Sequence, residues 1–169
     1  YNFYMAKKEQ GGGALMDESH GIDILRYLVG EVESVFAILD TISGLKLTSD
    51  DNALLTMRMK NNSLFQINFD LHSRFPRVSL EILGTKGNMF IDRVKNEVSY
   101  YNVKSKIWKK YKFSKKDYLK MYLEQAKYFL NCISKKNKAE VDILDGIKTQ
   151  KIIDLSFSSS KQKRMLKIR

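Results

Sequence analysis

At 169 residues with 43% hydrophobic side chains, the chain is long enough to bury one core and too apolar for a disordered segment. It has no run of about 18 apolar residues and no basic-then-apolar leader, so no membrane span or membrane contact is expected. A single cysteine, Cys132, excludes an internal disulfide and fits a reducing, cytoplasmic setting. The formal charge of +11 comes from 30 Lys and Arg against 19 Asp and Glu, and it is concentrated: eight of the seventeen residues from Lys104 to Lys120 are lysine. Such a patch suits plain solvent, a phosphorylated substrate or nucleic acid, and charge alone does not choose among them.

Tyr1 to Gln10 is polar and without clear period. The stretch GGGALMDESHGIDILRYLVG, Gly11 to Gly30, then predicts a helix from about Gly13, with Gly30 as its C-cap. On its wheel Leu15, Ile22, Leu25 and Val29 form one apolar arc, while Met16, His20, Asp23 and Tyr27 lie opposite with Asp17, Ile24 and Leu28 beside them. A helix with an apolar stripe on one side and a mixed apolar and ionisable stripe on the other suits a place between a sheet and a second partner.

From Val32 to Phe113 the period changes to two. Phe65, Ile67, Phe69 and Leu71 alternate with polar residues, as do Leu55, Met57 and Met59, so each run reads as a strand with one buried face. Turn chemistry breaks the runs at Lys60 to Ser63, at Ser73 to Pro76 and at Gly84 to Asn88. Such short links require antiparallel pairing, because a parallel pair needs a long crossover. About six strands are expected.

Two helices follow. Leu119, Tyr122, Leu123, Ala126, Phe129, Leu130 and Ile133 keep the i, i+3, i+4, i+7 spacing of a core stripe. Asp142 opens a second helix to about Phe157, with Asp145 three residues on. Arg164 to Arg169 predicts a last strand. The class is α+β: an open, mainly antiparallel sheet of six or more strands with helices on one face, in a single domain over residues 1–169. The other sheet face is expected to be open, which invites a partner.

No Gly-x-Gly-x-x-Gly, P-loop, paired Cys-x-x-Cys or Gly-x-Ser-x-Gly occurs. The triplet Gly11 to Gly13 does not follow a strand. It serves either as a flexible entry to the helix or as small residues at Gly12 and Gly13 that let a ligand or another domain approach. Asp17, His20 and Asp23 follow one another at steps of three, which makes them neighbours on a helix surface. A carboxylate beside an imidazole orients it for acid-base work; an ordinary hydrogen-bonded histidine at a domain interface has the same sequence. No metal site is expected, since the only other histidine, His72, lies far along the chain and no thiolates cluster. His72, Arg74 and Arg77 flank Pro76 and form either an anion site or ordinary edge charges. In KIWKKYKF, Trp108 and Tyr111 interleave with lysines, as on a single-strand nucleic-acid surface, but a strand with Ile107, Tyr111 and Phe113 inward explains the alternation.

The run AKKEQGGGALMDESHGIDILRYLVGEVESV resembles the start of the C-terminal domain in the Gfo/Idh/MocA family of NAD(P)-dependent oxidoreductases. The resemblance continues through SLEILGTKGNMFID, YLEQAKYFLNCI and DGIKTQKIIDLSFSSS in family order. It implies a glucose-fructose oxidoreductase-like C-terminal domain, in which the sheet supports the substrate site and oligomer contacts. The cofactor, NAD or NADP, would be held mainly by an N-terminal Rossmann domain elsewhere in a longer protein. It implies His20 as the acid-base residue near a substrate hydroxyl with Asp17 as its partner. Beside these, Asp23, Arg74 and Arg77 are the candidate substrate-binding residues and Gly12 and Gly13 the candidate cofactor contacts. The substrate would be a sugar, cyclitol or nucleotide sugar, and the domain alone would be inactive. Two departures stand out: many members space the pair as Asp-x-x-x-His where this chain has Asp17-x-x-His20, and the family's Glu-Lys-Pro lysine has no counterpart in this chain. The rival expectations are a basic nucleic-acid or polyanion module acting through Lys104 to Lys120, and a non-catalytic assembly domain.

Overall fold

The computed structural model describes residues 3–75 and 77–168. Tyr1, Arg169 and the proline of the expected Pro76 turn lie outside the described residues. Among the described residues, eight antiparallel strands form two four-stranded sheets where one sheet was expected, and the chain divides into two compact units, 1–72 with 141–169 and 73–140.

The first unit holds the core. After two 3₁₀ turns, Tyr4–Ala6 and Lys8–Gln10, come helices α1 (Ala14–Asp17) and α2 (His20–Val29), then strands β1 (Val32–Asp40), β2 (Asn52–Met59) and β3 (Leu64–Asp70). The predicted single first helix is therefore broken at Glu18 and Ser19. Its apolar arc is where the periodicity puts it: Leu15, Ile22 and Leu25 are buried and Val29 packs against them. They meet Val35 and Ala37 of β1, Leu55, Met57 and Met59 of β2, and the half-buried Phe65, Ile67 and Phe69 of β3. Gly21 sits where a side chain would strike the Phe69 ring, so α2 can lie directly on the sheet.

Helix α4 (Ile143–Gln162) returns to this unit, adding Ile152 and Ile153 to the core, and runs five residues past the expected end near Phe157. Asp142 caps it, accepting from the backbone N–H of Leu144 and Asp145 at 2.9 and 3.2 Å. The sheet order is β3-β2-β1-β8, but β8 (Leu166–Lys167) pairs only with Ser34 and Val35 of β1. Beyond that short strand the β1 edge would leave amides bare. Ser159 Oγ and Ser160 Oγ of α4 accept from the N–H of Ala37 and Leu39, both at 3.0 Å, and so close the edge.

The second unit is a meander, β4 (Ser79–Gly84), β5 (Gly87–Asp92), β6 (Glu97–Asn102) and β7 (Ile107–Lys112), followed by α3 (Lys115–Lys135). Thr85 and Lys86 make the tight turn between β4 and β5. Ser114 and Asp117 form a reciprocal capping box at the start of α3. Its stripe is not core, as the spacing suggested: Leu119 is 68% and Leu130 64% exposed, and no α3 residue is buried. Periodicity reports that a helix has an apolar face, not that the chain supplies a cover for it. Ile107, Tyr111 and Phe113, expected inward, are likewise exposed, because β7 is the outer strand of its sheet.

One buried charge ties the first unit together. The Arg26 side chain, 4% exposed, donates to Glu31 at 3.0 and 3.2 Å, to Asp145 Oδ1 at 2.9 Å, to Asp23 at 3.2 Å and to Thr149 Oγ1 at 2.7 Å. Hydrogen bonds from Arg26 hold the Glu31 carboxyl below its usual range against the opposing effect of burial, with Lys148 helping. A group lowered in this way stabilises the fold above the ordinary carboxylate range, and that contribution is lost as pH falls through the folded value. Replacing Arg26→Met keeps the volume but strands the carboxylates. It should cost about 2–4 kcal/mol in urea unfolding and flatten the acid side of the stability profile between wild type and variant.

Candidate functional site

The links into the two first helices are set by a distant residue. Gly13 stands at the N-cap of α1 with φ 129°, where a Cβ would run into the Asp50 carboxylate. Asp50 does the capping instead: its side chain accepts from Leu15 N–H at 2.9 Å and its carbonyl from Ala14 N–H at 2.8 Å. Burial pushes the Asp50 carboxyl up, opposed by the backbone bond from Leu15. A Cβ on Gly12 would strike the backbone carbonyls of Tyr4 and Met5. The room at these two glycines, expected near a cofactor, is taken up by the chain's own atoms.

Four ionisable side chains gather at the break between α1 and α2. The Tyr4 hydroxyl donates to Asp17 Oδ1 at 2.5 Å, and this bond, with burial and the nearby Asp17 and Glu18 charges, pushes the Tyr4 hydroxyl above the ordinary tyrosine range. His20, the first residue of α2 and 64% exposed, has Glu18 Oε2 at 3.3 Å from its Nε2. Asp17 and His20 thus fall in one cluster but with different immediate partners. Tyr4 escaped sequence reading, as did the place of Glu18 beside His20. Tyr4 lies in a segment without period, and Glu18 becomes a partner only because the helix breaks.

Asp23 belongs to another arrangement. Its Oδ1 meets Arg26 at 3.2 Å and Thr149 Oγ1 at 2.9 Å, so it joins the buried clamp while its side chain stays half exposed. Further along the outward side of α2, Tyr27 is 81% exposed, with Ile24 and Leu28 also open. This is the two-sided helix the wheel described.

His72 lies in the first unit with Nδ1 4.0 Å from Asp70 Oδ1, whereas Arg74 and Arg77 belong to the second unit and are exposed. No group of three or more His, Cys, Asp or Glu able to hold a metal ion occurs among the described residues. Nor is any described helix long and apolar enough to cross a membrane.

The fold and the cluster define a class: an antiparallel α+β domain that carries an exposed histidine among carboxylates at the start of a core-packed helix. The chain matches the oxidoreductase family, C-terminal alpha/beta domain, over residues 4–168, and belongs to that Gfo/Idh/MocA family. Solved structures share its fold. Levoglucosan dehydrogenase in complex with NADH is 20% identical, with a TM-score of 0.86 over 99% of this chain and 53% of that one. The WlbA dehydrogenase from Bordetella pertussis, in complex with NADH and UDP-GlcNAcA, is 22% identical, with a TM-score of 0.72 over 94% of this chain and 48% of that one. GenD2 from gentamicin A biosynthesis, in complex with NAD, is 16% identical, with a TM-score of 0.79 over 98% and 51%. The chain spans about half the length of each. No curated protein matches by sequence.

The glycine geometry gives a direct test. Gly13→Ala meets both a positive φ and the Asp50 carboxylate, and should lose about 1–3 kcal/mol in denaturant unfolding. Gly146→Ala, within α4 and with open space around it, should gain up to about 1 kcal/mol. Equal effects at both positions would show that the Asp50 cap is not what makes Gly13 necessary.

Proposed function

We propose that this domain presents the substrate-side acid-base residue, and an assembly surface, in an NAD(P)-dependent oxidoreductase that interconverts a hydroxyl and a carbonyl on a sugar, cyclitol or nucleotide sugar. The observation that carries the reading is His20. An exposed imidazole flanked by carboxylates opens a helix whose other side is buried, at the position that matches the family's histidine. Membership of the family and the fold shared with NAD-bound dehydrogenases support it.

The chain contains no nucleotide-binding glycine fingerprint, and the space at Gly12 and Gly13 is filled by Tyr4, Met5 and Asp50. Its own residues therefore fit the proton-handling half of the reaction, and the nucleotide is assigned to a Rossmann domain of the same protein. When bound, the nicotinamide supplies the hydride acceptor or donor. His20 takes the proton from the substrate hydroxyl in one direction and returns it in the other. Asp17 and Glu18 make the surroundings of His20 negative, which suits a neutral hydroxyl at the reacting end, since a phosphate placed there meets like charge. The exposed apolar residues of α3 and of the second sheet supply the surface for assembly into a homo-oligomer.

His20→Ala in the full-length protein should lower NAD-linked turnover by about 100-fold or more on whichever sugar or cyclitol the wild type oxidises, with the fold intact by circular dichroism. Undiminished turnover would leave the domain with assembly alone. The 169-residue chain by itself is expected to give no NAD reduction with any of those substrates.

A second reading, polyanion binding, is favoured by one observation: all six residues of β7 are exposed, with the Trp108 ring tilted against Tyr101 at 5.3 Å between ring centroids. Lys110 is engaged by Glu97 at 3.3 Å, so Lys109 and Lys112 are the cations to neutralise. If this reading holds, binding to single-stranded DNA falls steeply with salt and is lost in the doubly neutralised variant; no binding at low salt removes it.

A further inference from the structure

The resemblance implies an aspartate partner for the family histidine, and Asp17 is the residue that matches it. The geometry gives His20 a different neighbour. Helix α1 ends at Asp17 and α2 begins at His20, so residues 17 and 20 do not sit on one continuous helix surface. Glu18 occupies the link, with φ −93° and ψ 14°, and its Oε2 lies 3.3 Å from His20 Nε2. The Glu18 carbonyl also accepts from Gly21 N–H at 2.9 Å, which ties the glutamate backbone to the turn that bears the imidazole.

Asp17 is meanwhile committed elsewhere. The 2.5 Å bond from the Tyr4 hydroxyl has the short length of a charge-assisted O–H to carboxylate bond. Tyr4 is itself held: its carbonyl packs against Gly12 and accepts from Lys7 N–H at 3.0 Å. The end of its 3₁₀ turn is pinned where the Ala6 carbonyl accepts from Thr48 N–H at 2.9 Å. Asp17 is thus already engaged by Tyr4, a residue whose backbone is held in place.

Resting on the reading of His20 as the acid-base residue, we propose that Glu18, and not Asp17, is the carboxylate that positions the His20 imidazole, while Tyr4 keeps Asp17 in a separate pair. With Glu18 beside Nε2 at 3.3 Å, Nδ1 is the nitrogen left to accept the proton of a substrate hydroxyl. Glu18 acts through His20 and is a positioning residue. The one-residue-shorter spacing of this chain thereby acquires a consequence: losing a residue between aspartate and histidine moves the carboxylate role to the link itself.

Two measurements test this. The first uses the chain alone. It has two histidines, and the His20 ring signals are assigned by their loss in His20→Ala. Glu18→Ala should shift the His20 ring cross-peaks in proton–carbon spectra, and Asp17→Asn should leave them in place. If Glu18→Ala does not fold, Glu18→Gln provides the same comparison. His20 signals that move in Asp17→Asn but not in either Glu18 variant would overturn the proposal and return the role to Asp17.

The second uses the full-length protein. Glu18→Ala should lower kcat about tenfold, part of the 10²–10⁴ that a positioned acid-base group contributes, with KM within about twofold of wild type. Glu18→Asp should recover most of the loss. A rise in KM with kcat unchanged would also overturn the positioning role. If His20→Ala retains wild-type turnover, the functional reading itself fails, and the ring spectra still decide whether Glu18 is the partner.

Discussion

Arg26 is a guanidinium almost wholly removed from water, and it is tolerable there only because Glu31, Asp145, Asp23 and Thr149 surround it at 2.7 to 3.2 Å. The planar fork of an arginine accepts such partners in few orientations, so the clamp fixes the rotation of α2 about its own axis as well as its distance from α4. His20 lies six residues upstream, about 240° around the helix from Arg26. Once the arginine and the stripe Ile22 and Leu25 face inward, the imidazole has to open outward. The exposure of the candidate acid-base residue thus follows from burial of a charge a turn and a half away. Asp23 takes part in both settings, since it stands on the outward side yet spends Oδ1 on the clamp.

What was legible in the sequence was whatever one period could carry. The alternation in β2 and β3, the stripe Leu15, Ile22 and Leu25, the Asp142 cap and the turn at Thr85 and Lys86 all depend on neighbours within a few residues, and all are found as expected. The features that escaped depend on long-range partners. Asp50 caps a helix 35 residues before it, and Ser159 closes a strand edge 122 residues away. Arg26 stands in no local pattern, and its partners Asp145 and Thr149 lie 119 and 123 residues further along the chain. The break at Glu18 was hidden for a different reason. The wheel of Leu15, Ile22 and Leu25 tolerates a short interruption, so a broken helix and a continuous one present the same pattern.

The α3 stripe shows the limit of periodicity from the other side. Its spacing is as regular as that of the first helices, yet among the described residues every fully buried hydrophobic side chain belongs to the first unit. A four-stranded meander and one helix that bury no apolar residue of their own have little to offset the entropy of ordering their chain. The same spacing thus accompanies an exposed face in α3 and a buried one in α2, so periodicity alone does not tell the two apart.

The charge divides along the same line. Residues 73–140 carry 17 of the 30 basic residues against 6 of the 19 acidic ones, so the whole excess of +11 belongs to the second unit and the first is neutral. Within that neutral unit the surroundings of His20 are locally acidic, with Asp17 and Glu18 beside it and Asp23 on the next turn. Net charge, which by itself chose no partner in the sequence, says nothing about the candidate site either. The two properties belong to different parts of the chain: the excess of lysine lies in residues 73–140, and the candidate site lies in the unit whose charges sum to zero. His20, with the Glu18 carboxylate 3.3 Å from its Nε2, lies in the balanced unit, far in sequence from the lysine-rich run.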